Sequence, residues 1–305
     1  MQSQSKSRNR GQVVVGSDGS LPSRRAVRWA AEEAGRRGIP LRIVTVAQLA
    51  EGGHAHGVRG RLVPWLLTDA DAILRDAVDL AAETLPEDEI VTVVSVGPVV
   101  DALVDESESA DLLVVGNRGL DAVTALMLGS VSVEVAERAA CPMVVVRGSE
   151  ATDPHAPVVV GMDGSARSGG TLAEAFKAAE AWDAPLLAVH AWHAPAFAGS
   201  VQAPAAAYQG AHRGEDEACL LSAVLKPCQE AHPTVQVATR AVEGRAAEAL
   251  VGASAGARLL VVCPRGRGEL AGLMLGSTSQ STLRNAPCPV LLVPAPPRQH
   301  EGSPL

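Results

Sequence analysis

The chain has 305 residues, is 47% hydrophobic and only 2% aromatic, and carries a formal net charge of −8 at pH 7. That length suggests two domains of ordinary size, and with so few aromatics Val, Leu and Ala must pack the cores, which suits helices lying on a parallel sheet. The acidic balance argues against a nucleic-acid binder, which would carry a basic face, and no apolar run approaches the ~20 residues of a membrane span.

The N-terminal stretch MQSQSKSRNRGQVVVG is basic but lacks the hydrophobic region of a signal peptide. The cysteines, at 141, 219, 228, 263 and 288, are odd in number and not closely paired, the pattern of reduced thiols rather than of disulfides or a zinc site. Both features point to a cytoplasmic location.

Residues 12–15 begin a first strand that runs into Gly16-Ser17-Asp18-Gly19-Ser20. A helix follows, with Ala26, Val27, Ala30, Ala31 and Ala34 on one face, closed by Gly38-Ile39-Pro40. Strand two is read over 41–46, a long connection over 47–68 and a helix over 69–85. His54 and His56 in the connection lack partner ligands at metal-site spacing and read as a solvated loop. The acidic run Glu87-Asp88-Glu89 reads as a solvated turn. Strand three is expected over 90–96, a short helix over 98–106, strand four over 112–115, a helix from Ser130 to Ala140 and strand five over 143–146.

Residues 148–157, GSEATDPHAP, have linker composition, and then the order starts again. Strands are expected over 158–160, 186–191, 235–241, 259–262 and 290–293, and helices over 215–226 and 246–253. Between positions 111–146 and 258–293, 16 of 36 residues are identical. An internal repeat of this length makes each copy a domain, here 12–147 and 158–294. Strands alternating with helices require right-handed crossovers and a parallel sheet. Ligands of such sheets bind beyond the strands' carboxyl ends, where the strand order switches.

Two loops carry the chemistry. Strand four ends in Gly116-Asn117-Arg118-Gly119, and nine residues later Gly129-Ser130 opens a helix. A helix start offers unpaired N–H groups and a partial positive charge, which suits a phosphate. An ordinary strand-to-helix turn has the same glycines. The first loop places Asp18, and its repeat Asp163, just beyond a strand. A carboxylate there receives hydrogen bonds from an adenine amine or ribose hydroxyls, holds a metal, or simply forms an Asx turn. Arg118 and Arg265 are either counter-charges for phosphate or solvated surface groups.

Other chemistries lack their residues. G-x-x-x-x-G-K-[ST] is absent, G-x-G-x-x-G does not follow the first strand, and there is no G-x-S-x-G elbow. No histidine, carboxylate or cysteine group recurs in both copies as a catalytic set would. His190, whose repeat partner is Thr45, reads as a strand residue near the cleft.

The pair GSDGS and GNRG-x9-GS resembles the ATP-binding branch of the universal stress protein family, with its pattern G-x2-G-x9-G-[ST]. Ser23, Trp29-Ala30 and the Cys-Pro starts of the last strands (Cys141-Pro142, Cys288-Pro289) extend the likeness. The whole chain is similar to tandem, two-domain members common in actinobacteria. The resemblance implies two Rossmann-like α/β domains of the adenine nucleotide alpha hydrolase-like kind, each a five-stranded parallel sheet with helices on both faces. It implies ATP, with or without Mg2+, at the strands' carboxyl ends. Asp18 and Val46 would meet the adenosine, and Gly116, Arg118, Gly119, Gly129, Ser130, Val131 and Ser132 the ribose and phosphates. The matching second-half positions are Asp163, Ala191, Cys263, Arg265, Gly266, Gly276, Ser277, Thr278 and Ser279. It also implies domains paired through their fifth strands within the chain, and a further homodimer.

The favoured function is therefore an ATP-binding stress-response regulator. A scaffold with a vestigial nucleotide site and a slow ATPase are the alternatives. The second copy departs from the pattern where Cys263-Pro264 replaces Gly116-Asn117. A side chain enters and a backbone donor is lost, so the second site is expected to be weaker, altered or empty.

Overall fold

The computed structural model describes residues 11–48, 59–118, 129–149, 153, 155–163, 168–192, 221–264 and 275–294, with the backbone alone described for 59–67. His54 and His56 lie outside these residues. In the first half the elements are β1 (Val13–Gly16), α1 (Leu21–Arg37), β2 (Leu41–Ala47), α2 (Arg59–Ala81), β3 (Ile90–Val96), α3 (Val99–Ser107), β4 (Leu112–Gly116), α4 (Ser130–Arg138) and β5 (Met143–Val146). In the second they are β6 (Val158–Met162), α5 (Ser168–Ala181), β7 (Leu186–Trp192), helical residues 221–231 (α6), β8 (Val237–Glu243), α7 (Ala246–Ala253), β9 (Leu259–Val262), α8 (Ser277–Asn285) and β10 (Val290–Leu292).

Local sequence accounts for these elements. Val13–Val15 are fully buried, and a β-branched run covered on both faces is what a central parallel strand needs. Ser20 caps α1 by accepting from the Ser23 N–H at 3.3 Å, and a proline sits in the first turn, where no N–H is missed. Gly38 ends α1 in the left-handed conformation at φ 62°, with Arg36 and Arg37 in the last turn to complement the helix dipole.

The strand order is β3-β2-β1-β4-β5-β10-β9-β6-β7-β8. Every pairing within a half is parallel. The two five-stranded sheets do not stay separate. β5 and β10 pair antiparallel, with Val144 opposite Leu291, and join them into one ten-stranded sheet. Strand one lies beside strand four in each half, so the switch point falls between β1 and β4, and between β6 and β9.

Two apolar layers cover the sheet, and both cross the join. Val13, Val15, Ile43, Phe176 and Leu186 lie in the layer under α1, α2, α5 and α6, and Val14, Leu113, Val145, Leu260 and Leu283 lie under α3, α4, α7 and α8. Phe176 and Leu172 are among the largest fully buried side chains, and truncating such a residue to Ala costs roughly 2–5 kcal/mol.

Several boundaries differ from the sequence expectation, and α6 runs to 231, five residues past its expected end. Helix α2 starts at Arg59, inside the expected connection, and ends at Ala81. Strand β8 starts two residues late because Val235 belongs to a turn, its N–H bonded to the His232 carbonyl at 3.2 Å.

Side chains reinforce the join. Glu33, 1% exposed, accepts from Trp182 Nε1 at 2.8 Å and from Arg36 and Arg37 at 2.9 and 2.7 Å. The Trp182 ring meets Trp29 edge-on at 6.0 Å, and the Arg36 guanidinium lies over it at 5.0 Å. Arg147, just past β5, donates to the carbonyls of Thr282, Leu283 and Arg284 at the end of α8.

Candidate functional site

The switch point between β1 and β4 brings three segments together. The β1–α1 turn carries Asp18, whose carboxylate accepts from the Ser20 N–H at 3.0 Å. This is an Asx turn, and Gly19 supports it with φ 78°. The end of β4 carries Gly116 and Arg118. The start of α4 returns to that strand end, where Ser132 Oγ donates to the Gly116 carbonyl at 2.9 Å and the Gly129 N–H to the Asn117 carbonyl at 3.0 Å.

The second half repeats the arrangement. Ser279 Oγ donates to the Cys263 carbonyl at 2.7 Å, and the Gly276 N–H to the Pro264 carbonyl at 2.8 Å. Asp163 follows β6 and accepts from Ser168 Oγ at 2.8 Å.

Glycine is the N-cap of both α4 and α8, in extended conformation and without a side-chain cap. No side chain of the cap residue covers the N–H groups of the first turn, an arrangement that suits an incoming anion. Ser130 and Ser277 are exposed at the first helical position, while Ser132 and Ser279 are buried by their bonds to the strand ends. Val131 and Thr278 are half-buried between them.

Val46 on β2 and Ala191 on β7 are half-buried residues near the carboxyl ends of their strands, and Val46 packs on the apolar layer under α3 and α4. Arg118 is half-buried beyond β4. Its charge, after burial as the main cause, helps to lower the pKa of Arg147 from the ordinary arginine value. Gly119, Arg265 and Gly266 lie outside the described residues.

Two sequence expectations change. Gly116 is not a positive-φ residue. A Cβ there would lie 2.8 Å from the Pro22 carbonyl carbon and 3.0 Å from the Ser23 nitrogen. The glycine lets β4 approach the first turn of α1, a packing demand of its own. The backbone donor lost at Pro264 is likewise not a phosphate donor. In the first half the matching Asn117 N–H is already bonded to the Val146 carbonyl at 3.1 Å, inside the sheet.

Sequence reading passed over Thr45. Its hydroxyl is buried on β2 without a hydrogen-bond partner among the described residues. Its counterpart His190 is buried too, with Nδ1 2.8 Å from the Met162 carbonyl. Since a carbonyl can only accept, Nδ1 carries the proton. Glu137 also went unnoticed. It reaches from α4 across the join and accepts from the Leu275 N–H at 3.2 Å. Its repeat partner is Arg284, a reversal of charge legible in the sequence. Among the described residues no group of three or more His, Cys, Asp or Glu is placed to hold a metal ion, and no helix is long and apolar enough to cross a membrane.

The model of the universal stress protein family matches residues 9–147 and again 155–294. A universal stress protein of Mycobacterium tuberculosis is 36% identical over 301 residues, spanning 94% of this chain and 98% of its own. Among solved structures, a universal stress protein from Archaeoglobus fulgidus superposes with a TM-score of 0.66 at 17% identity, covering 93% of this chain and 98% of that one. A universal stress protein solved in complex with cAMP is 35% identical, with a TM-score of 0.35, over 46% of this chain and 98% of its own.

Proposed function

The chain belongs to the universal stress protein family, and on that premise we propose that it is an ATP-binding stress-response regulator whose first half is the principal nucleotide site. The observation that carries this reading is the uncapped start of α4, an N-cap glycine at the β1–β4 switch point closed onto the strand by Ser132 and Gly129. Phosphates would take the N–H groups of the first turn of α4, with Ser130 as a hydroxyl donor and Arg118 as the neighbouring positive charge. Asp18 and Val46 would border the adenosine. Mg2+ would arrive on the phosphates. The same roles in the second half fall to Asp163, Ala191, Gly276, Ser277, Thr278 and Ser279, together with Cys263, Arg265 and Gly266.

Binding would act by shifting the populations of conformations or of partners, to the extent that ATP favours one state over another. The test is the nucleotide content of the purified protein, read by mass spectrometry, followed by calorimetric titration of the emptied protein with ATP and with cAMP. ATP bound with a stoichiometry of at least one is expected. A protein that purifies empty and takes up no ATP would overturn the reading.

A further inference from the structure

Both ends of α8 are held by side chains of the first half. At its C-terminal end Arg147 donates to three consecutive carbonyls, those of Thr282, Leu283 and Arg284. At its N-terminal end the Glu137 carboxylate takes the N–H of Leu275, immediately before the N-cap Gly276. The Gln280 side chain closes the same corner by donating to the Leu275 carbonyl at 3.1 Å. Leu275 itself is buried, which fixes the segment that leads into the helix.

The repeat does not return this grip. The residue at the position of Glu137 is Arg284, which has no acceptor, and the residue at the position of Arg147 is Pro294, which has no side-chain donor. The first half therefore supplies a negative charge to the start of α8, and the second half has no carboxylate at the matching position to supply to α4.

A carboxylate beside a helix N-terminus is favourable, since it meets the partial positive charge there. It also fills the electrostatic role that a phosphate would take at the same helix start. We propose that Glu137 is a built-in competitor for anions at the start of α8, so that the second nucleotide site is weakened by a charge the first half provides. The inference rests on the reading that these helix starts receive nucleotide phosphates. It accounts for unequal halves without the donor missing at Pro264, which serves the sheet and not the ligand in the first half.

The substitution Glu137→Gln separates charge from structure. The glutamine carbonyl can still accept from Leu275 N–H, and only the negative charge goes. The experiment uses the full chain carrying Gly129→Glu, which sets a carboxylate at the start of α4 and silences the first site, and titrates it with ATP in low salt. Adding Glu137→Gln is expected to tighten ATP binding at the second site about tenfold, as removal of one nearby like charge does at a partly buried position, with a melting temperature lowered by no more than a few degrees, as the loss of one charge–dipole contact implies. Equal or weaker affinity in the Glu137→Gln protein overturns the proposal, as does a second site that stays empty in both. The chain with Gly129 intact gives the separate control: ATP binding there with no gain from Glu137→Gln rejects the competitor alone, whereas no ATP binding there rejects the nucleotide reading itself.

Discussion

The indole N–H of Trp182 donates to the Glu33 carboxylate at 2.8 Å, joining the C-terminal end of α5 to that of α1. The carboxylate is almost fully buried and serves Arg36 and Arg37 at the same time. Trp182→Phe keeps the ring against Trp29 and removes only the donor. It should lower the unfolding free energy by roughly 1.5–3 kcal/mol, the range for a hydrogen bond to a charged group. Glu33→Ala removes this carboxylate from Arg37 and the indole N–H, while Arg36 keeps Glu32 at 2.8 Å, and should cost about 3 kcal/mol, the low end of the range for breaking a buried pair. Urea denaturation of both variants checks the order; a Glu33→Ala loss no larger than that of Trp182→Phe would contradict it.

Gly116→Ala places a methyl group against the backbone of Pro22 and Ser23, closer than real Cβ contacts come. Backbone cannot yield as a flexible side chain does, so the substitution should destabilise by about 1–3 kcal/mol. Cys263→Ala at the matching position trims a side chain already accommodated, and should change stability by less than about 1.5 kcal/mol. The pair distinguishes a packing glycine from a ligand glycine. If Gly116→Ala abolished ATP binding at full stability, the packing explanation would fail.

Thr45→Val removes a buried hydroxyl that has no partner among the described residues and keeps the β-branched shape. Leaving a buried polar group unmet costs about 1–3 kcal/mol, so the variant should melt higher than the parent by several degrees. Differential scanning calorimetry decides it. A lower melting temperature would mean that the hydroxyl has a partner in solution.

Burial pushes the Cys141 thiol up to about 12 and the Cys288 thiol up to about 11, from an ordinary value near 9. The folded state therefore prefers the neutral thiol. That contribution is complete below pH 9, where both states are protonated, and is lost as pH rises from about 9 toward 11 and 12. Replacing both cysteines by Ala should flatten the alkaline loss of stability above pH 9 and leave the pH 6–8 range unchanged in slope. In the folded protein at pH 8, iodoacetamide should leave both residues unmodified, because the thiolate is the reactive form; rapid alkylation of either would show that the burial is not maintained.

How much of this was legible in the sequence depends on distance along the chain. The alternation of strands and helices and the glycine starts of α4 and α8 are local, and the residues that form them sit within a few positions of one another. The repeat added the equivalence of the halves, and the likeness to a known family added the pairing of β5 with β10. The contacts that fix the join were not legible, since Glu33 and Trp182 are 149 positions apart and Glu137 and Leu275 are 138 apart. The packing of Gly116 on α1 was not legible, because a glycine at a strand end signals close approach without saying to what. The start of α2 was missed because its first turns fall in a glycine-rich stretch that reads as loop.

The join between β5 and β10 has a consequence for how the halves can diverge. Two separate but identical chains meeting about a twofold axis must use every residue twice, so a carboxylate that suits one side of the contact is imposed on the other. A chain that contains both partners is released from that constraint. With β5 ending at Val146 and β6 starting at Val158, the two halves cannot dilute away from each other, and their meeting is an intramolecular event at high effective concentration. The contact then tolerates losses that would dissociate a free dimer. Glu137 can face Leu275 while Arg284 stands in its place on the other side, and Arg147 can be answered by a proline. Covalent linkage thus turns a symmetric surface into two independently adjustable ones.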